Sequence, residues 1–272
     1  MKHYVDHNPA YPDQLLDWNG GNRTYDLSDG YNHQGTDWFL WPFTWHKMDN
    51  DEVQIVAVAR GYIVHKYDEH FDRRCDFNND GLWNAVYVVH DDGSVAWYGH
   101  MKTWSLTDKV VYDFVEVGEY LGIVGSSGYS WEPHLHFEFY EDAYYQNLID
   151  PYVGPHNPNP LITWAEGEQR DYNDSAINKV MTHSIPPDFT VPCPTPTIIN
   201  EKDYFNPGDS LYVAAYYRDQ LNGQISQYTI YRPDNSVFQS WTHSIADAHH
   251  FASYWYWGWI LPVNVPAGTW RF

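Results

Sequence analysis

Gly125 to Phe139 reads GSSGYSWEPHLHFEF, and its second half alternates strictly between polar and apolar residues. As a strand it puts His134, His136 and Glu138 on one face and Leu135, Phe137 and Phe139 on the other. The apolar face belongs to a core, so the two imidazoles are aimed together away from it. Two histidines held side by side on a stiff strand are half of a metal or acid–base site. The approach to the strand is turn chemistry: Gly125 and Gly128 admit positive φ, and Pro133 keeps the chain before it extended. A His-X-His pair by itself is only moderately specific, because exposed strands often carry one that binds nothing. The remaining ligands have to come from elsewhere.

The same alternation, punctuated by Gly, Pro and Asn-Gly, recurs along the 272 residues and marks a mainly β chain. An aromatic content of 18% excludes disorder and suits pleated surfaces, on which flat rings pack well. The net charge of −21 repels phosphate backbones and anionic lipid, which argues against nucleic acid and membrane surfaces as partners. No apolar run reaches the length of a membrane helix, and the opening MKHYVDHNPAYPDQ has no signal-peptide core, so secretion has to be argued from function. A monomer is expected. The cysteines, Cys75 and Cys193, allow one disulfide or two separate buried thiols.

Taken in order, residues 1–30 read as an irregular arm. Next comes YNHQGTDWF, in which His33 and Asp37 flank Gly35. In a straight strand their Cα atoms would stand about 13 Å apart, so a shared metal requires a bend near Gly35. Otherwise Asp37 merely opens a turn. Val53 to His65 supplies two short strands broken at Arg60 and Gly61. Asp76, Asn78, Asp80 and Gly81 match the first half of a calcium loop, but Tyr87 stands where the bidentate Glu belongs, so a plain turn is preferred. Asn84 to Asp91 and Gly93 to Met101 form a hairpin, with Ala96, Tyr98 and His100 on one face of its second strand. Val110 to Val124 adds two strands before the opening stretch closes the sheet.

Residues 1–155 are thus expected to form a first domain with its core at about 25–155. Residues 156–200 are a Pro-rich linker, and 201–272 an Ig-like β-sandwich module that stops mid-strand, as though truncated. The dense aromatics of that module read as core, with sugar or peptide binding the less common use.

His33, Asp37 and His136 offer a His/Asp/His set, with His100 and His134 as two further imidazoles. Three protein ligands leave a fourth position for water, the pattern of a catalytic zinc site, and the thiolates of a soft-metal centre are absent.

HQGTD, WYGHM and SSGYSWEPHLHFE resemble, in order and separation, the three signature segments of the lysostaphin-type (LytM-like) zinc endopeptidases. Asn84 and VEVGEYLGIVG fit the same template, and the resemblance covers roughly residues 25–155. It implies a small antiparallel sheet with a groove across it, zinc on His33, Asp37 and His136, and His100 and His134 as the catalytic pair. It also implies cleavage of peptide bonds in peptidoglycan stems or cross-bridges, or in glycine-rich proteins such as elastin, by a secreted or cell-envelope enzyme. Tyr98 and Glu138 are candidates to support the ligands, Glu138 being as well read as a solvated edge residue. Trp38, and Trp131 with Glu132, depart from the family pattern, and the latter pair is expected to narrow one end of the groove. A fold-preserving scaffold without metal would have lost one or more of these five residues; all are present. An adhesin acting through the aromatic C-terminal module would keep binding after chelation.

Overall fold

A computed structural model describes residues 2–160, 169, 171–190, 192–195 and 198–272. The chain divides into two compact units, Met1–Tyr172 with Val191–Pro196, and Asn173–Thr190 with Thr197–Phe272.

The first unit contains β1 (Lys2–His3), β2 (Thr36–Phe39), α1 (Thr44–Asp49), β3 (Gln54–Val56), β4 (Gly61–Tyr67), β5 (Ala85–His90), β6 (Val95–Gly99), β7 (Phe114–Val115), β8 (Tyr120–Ile123) and β9 (His134–Tyr140). Seven strands form one antiparallel sheet in the order β1-β2-β9-β6-β5-β4-β7, while β3 and β8 pair as a separate ribbon. The strand expected from HLHFEF is therefore central, paired on both sides. Its Phe137 and Phe139 enter the main core with Val86, Val88, Ala96 and Tyr98, over which Ile55 of β3 and Leu121 of β8 are packed. Burying these side chains is the main driving force, roughly 1.5–3 kcal/mol for each large one.

Two expectations need correcting here. The N-terminal arm is not wholly irregular: Lys2 and His3 pair with Trp38 and Asp37 and form the sheet edge. Tyr98 is a core residue on the face opposite the histidines, with its hydroxyl accepting the Val58 N–H at 2.9 Å, so it supports no ligand. Cys75 and Cys193 form a disulfide that closes a span of 118 residues within this unit.

The second unit holds β10 (Ala176–His183), β11 (Ser210–Leu221), β12 (Ser226–Tyr231), β13 (Val237–His243) and β14 (His249–Ile260). A three-stranded sheet, β10-β11-β14, and a two-stranded one, β12-β13, share a core in which Leu211 and Val213 meet Ile230. The five strands among the described residues fall short of the seven of an Ig sandwich. Tyr228, Trp241 and Trp257 pack into this unit's core, the use expected for its aromatics. Within the stretch read as a linker, Ala176–His183 is a regular strand, whose pattern the surrounding prolines conceal; residues 161–168, 170, 191, 196 and 197 of that stretch lie outside the described residues. No described helix is long and apolar enough to cross a membrane.

Candidate metal centre

Antiparallel register sets out the site. Asp37 of β2 faces His136 of β9 directly across the ladder, His136 faces Gly99 of β6, and His3 of β1 faces Asp37. His33 precedes β2, and the chain closes back on itself so that His33 Nε2 lies 3.2 Å from Asp37 Oδ1. Gly35 permits this by its lack of a side chain: a Cβ there would stand 2.6 Å from the Phe137 carbonyl and 2.8 Å from the His136 ring. Of the two loop glycines, Gly128 takes positive φ (+73°), whereas Gly125 is pressed against the backbone of Met101 and Lys102.

Three donor atoms converge. His136 Nδ1 lies 2.8 Å from Asp37 Oδ1 and 3.3 Å from His33 Nε2, close to the edge of about 3.4 Å for a tetrahedron of ligands bonded at about 2.1 Å. All three residues are buried, and among the described residues they are the group whose ligand atoms could hold a metal ion.

Whether they suit a cation is decided by their outer hydrogen bonds. His33 donates its Nδ1–H to the Tyr4 carbonyl at 2.7 Å, which leaves Nε2 as a lone pair. His136 donates its Nε2–H to Glu138 Oε1 at 2.8 Å, which leaves Nδ1 likewise, and Tyr140 holds the other Glu138 oxygen. With both rings neutral, two lone pairs and a carboxylate would face one another, an arrangement that demands positive charge, supplied by a proton on His136 or by a metal ion. The titration of the groups says the same. Burial opposes charging His136, but Asp37 and Glu138 outweigh it and push its pKa up to about 10. Burial would raise Asp37, yet His33, His134 and His136 hold it well below the usual carboxylate range. The residues fit a divalent ion such as zinc.

Two further imidazoles flank this triangle. His134 donates Nδ1–H to the Glu132 carbonyl at 2.7 Å and brings Nε2 to 3.7 Å from Asp37 Oδ1. His100 donates Nδ1–H to the Ser127 carbonyl at 2.6 Å, and its ring lies 4.6 Å from that of His134. Burial lowers both pKa values; for His100 the neighbouring His134 and His136 add to the effect, while for His134 Asp37 opposes it. Both are neutral bases at neutral pH. His100 reaches this side only because its backbone turns to φ +57° just past β6; simple alternation would have sent it into the core after Tyr98. Asn84 anchors that turn, donating from Nδ2 to the carbonyls of His70 and Met101.

Several supporting groups lay outside the sequence reading. Tyr4 acts through its carbonyl. His3 stands with its Nδ1 3.5 Å from Asp37 Oδ2. Trp83 lies edge-on to His100 at 5.2 Å. Glu138 is buried, which overturns its reading as a solvated edge residue. Trp38 packs on the core, whereas Trp131 is exposed and meets Phe77 edge-on. Asp76 and Asp80 close turns, accepting the N–H groups of Asn78 and Leu82.

A model of peptidase family M23 matches residues 32–151 and so includes all five of these residues. Residues 32–151 belong to peptidase family M23. Similar proteins include the glycyl-glycine endopeptidase ALE-1 of Staphylococcus capitis, 30% identical over 125 residues covering 45% of this chain and 29% of that protein. Lysostaphin of Staphylococcus simulans is 30% identical over 111 residues, 40% of this chain and 18% of that protein. The chain therefore matches less than a third of either relative's length. The solved catalytic domain of lysostaphin is 25% identical, covering 56% of this chain and 88% of that one, with a TM-score of 0.37. In the M23 domain described here the metal ligands expected by family likeness and the donors that converge are the same three residues.

Proposed function

We propose that this protein is a secreted zinc endopeptidase that hydrolyses peptide bonds in the stem or cross-bridge peptides of bacterial peptidoglycan. The observation that carries this reading is the convergence of His33, Asp37 and His136 on one point beside two neutral, buried imidazoles. A zinc ion held by the three would supply a polarised carbonyl and an acidified water.

The chain's own groups do the rest. His100 and His134, each fixed through Nδ1–H to a backbone carbonyl, present Nε2 as the base. One takes the proton released as water attacks the scissile carbon, and the pair returns it to the amine nitrogen as the C–N bond breaks. Glu138 and the Tyr4 carbonyl hold the ligand rings in the tautomers the centre needs. We assign the reaction to the unit containing the M23 domain. To the second unit we assign an accessory role, with its two sheets stacked in the manner of a sandwich.

The test is digestion of purified peptidoglycan and of elastin side by side, with mass analysis of the fragments. The expected result is cleavage of peptidoglycan peptides, abolished by a zinc chelator and restored by zinc. Cutting of elastin alone would move the substrate to glycine-rich proteins. Binding without hydrolysis that survives chelation would remove the enzyme.

A further inference from the structure

Beside His100 and His136 opens a cavity of about 430 Å³, well beyond what a glycine needs. Its lining is dominated by rings: Tyr25, Tyr31, Phe77, Trp83, Trp97 and Tyr129. Trp83 links it to the site, since its ring meets those of both His100 and His136.

The charged groups of the lining are unequal. Glu138 spends its oxygens on His136 and Tyr140. His100 and His136 belong to the site already described. Asp29 is different: it accepts the Tyr31 N–H at 3.2 Å and otherwise stands exposed. Among the described residues no lysine or arginine contributes to the lining. The cavity thus offers aromatic faces for an alkyl stem or a cation and one uncommitted carboxylate.

We propose that this cavity is a specificity subsite for a substrate residue with a long side chain ending in an ammonium group, its stem against the rings and its charge at Asp29. Such a group displaces water from apolar rings, which a glycine leaves wet. A sugar ring would also stack there, but the lining places a single uncommitted carboxylate and, among the described residues, no amide side chain, where its hydroxyls would need several polar partners. The inference rests on the peptidase reading and narrows it from any peptidoglycan peptide to those bearing an amine side chain next to the cleaved bond.

The experiment uses the zinc-loaded full chain and matched peptides with lysine, norleucine or glycine at each position from two before to two after the cleaved bond. At one position lysine should exceed glycine in kcat/KM by about 100-fold. It should exceed norleucine by about two- to tenfold. Asp29→Asn should erase the lysine-over-norleucine difference and leave norleucine unchanged, and Tyr129→Ala should lower both toward glycine. Glycine equal to lysine at every position, or an intact lysine preference in Asp29→Asn, overturns the subsite. Calorimetry of the same peptides on the His134→Ala protein separates the two readings. Lysine-selective binding lost in Asp29→Asn supports the subsite even if the native chain cuts nothing, a result that would sink only the peptidase. Tighter binding of a muropeptide sugar than of the lysine peptide overturns it.

Discussion

His136 and His183 are both buried imidazoles, one in each unit, and their two nitrogens are used in opposite ways. His183 donates Nδ1–H to the Ile199 carbonyl at 2.7 Å and accepts the Tyr216 hydroxyl on Nε2 at 2.9 Å. One nitrogen meets an acceptor and the other a donor, so the neutral ring is satisfied. His136 meets acceptors on both sides, Glu138 and Asp37. Burial lowers the pKa of His183, whereas for His136 the two carboxylates overcome burial and raise it to about 10. Burial alone therefore does not distinguish a structural histidine from a ligand. The polarity of the partners does.

The comparison is broken most forcefully at the two bases. His100→Ala or His134→Ala should each lower kcat about 10²- to 10⁴-fold while zinc stays at one ion per chain, measured by hydrolysis assay and metal analysis. Loss of zinc together with activity would make them ligands instead. A smaller effect is expected one bond further out. Glu138→Gln should weaken zinc about 10- to 100-fold, read by competition with a chelating dye, since the amide no longer orients His136 with a full charge. An unchanged affinity would show that the His136 tautomer needs no carboxylate.

In the second unit the same kind of change should act on folding alone. His183→Ala removes one hydrogen-bond partner each from the Ile199 carbonyl and the Tyr216 hydroxyl and should cost about 1–3 kcal/mol in urea unfolding, with hydrolysis of a small peptide unaltered. A drop in kcat would mean that the units are coupled.

The smallest effects are in pH. Because the folded pKa of His183 lies below its ordinary value of 6.5, its contribution is fully present above about 6.5 and is lost as pH falls from there through the lower folded value. The unfolding free energy should therefore decline on acidification, less steeply in His183→Ala. For His100 and His134 the lowered pKa values place the acid limb of kcat/KM below pH 6.5. An acid limb above that value would contradict their burial as neutral bases.

Much of this was legible in the residues. HLHFEF specified a strand with one core face and one ligand face, because a period of two leaves no other way to bury Phe137 and Phe139. His33 and Asp37 were legible as a pair only through Gly35, the residue that lets the chain close beside His136. What alternation could not give was His100, because a single positive φ after Gly99 reverses the face on which the next side chain emerges. Nor could it give Tyr4, which contributes a carbonyl every residue has, or the two-residue strand at Lys2 and His3, too short to carry a pattern. Glu138 was on the right face, but how deeply that face is covered depends on rings such as Tyr31 and Trp97, distant in sequence.

The most direct measurement is zinc titration of the metal-free chain beside its Asp37→Ala variant, with hydrolysis followed at each addition. We expect the native chain to bind one ion and gain activity in proportion, and the variant to do neither. Undiminished cleavage in the metal-free chain, or a variant that still takes up one ion as tightly, would mean that His33, Asp37 and His136 are not where the metal is held.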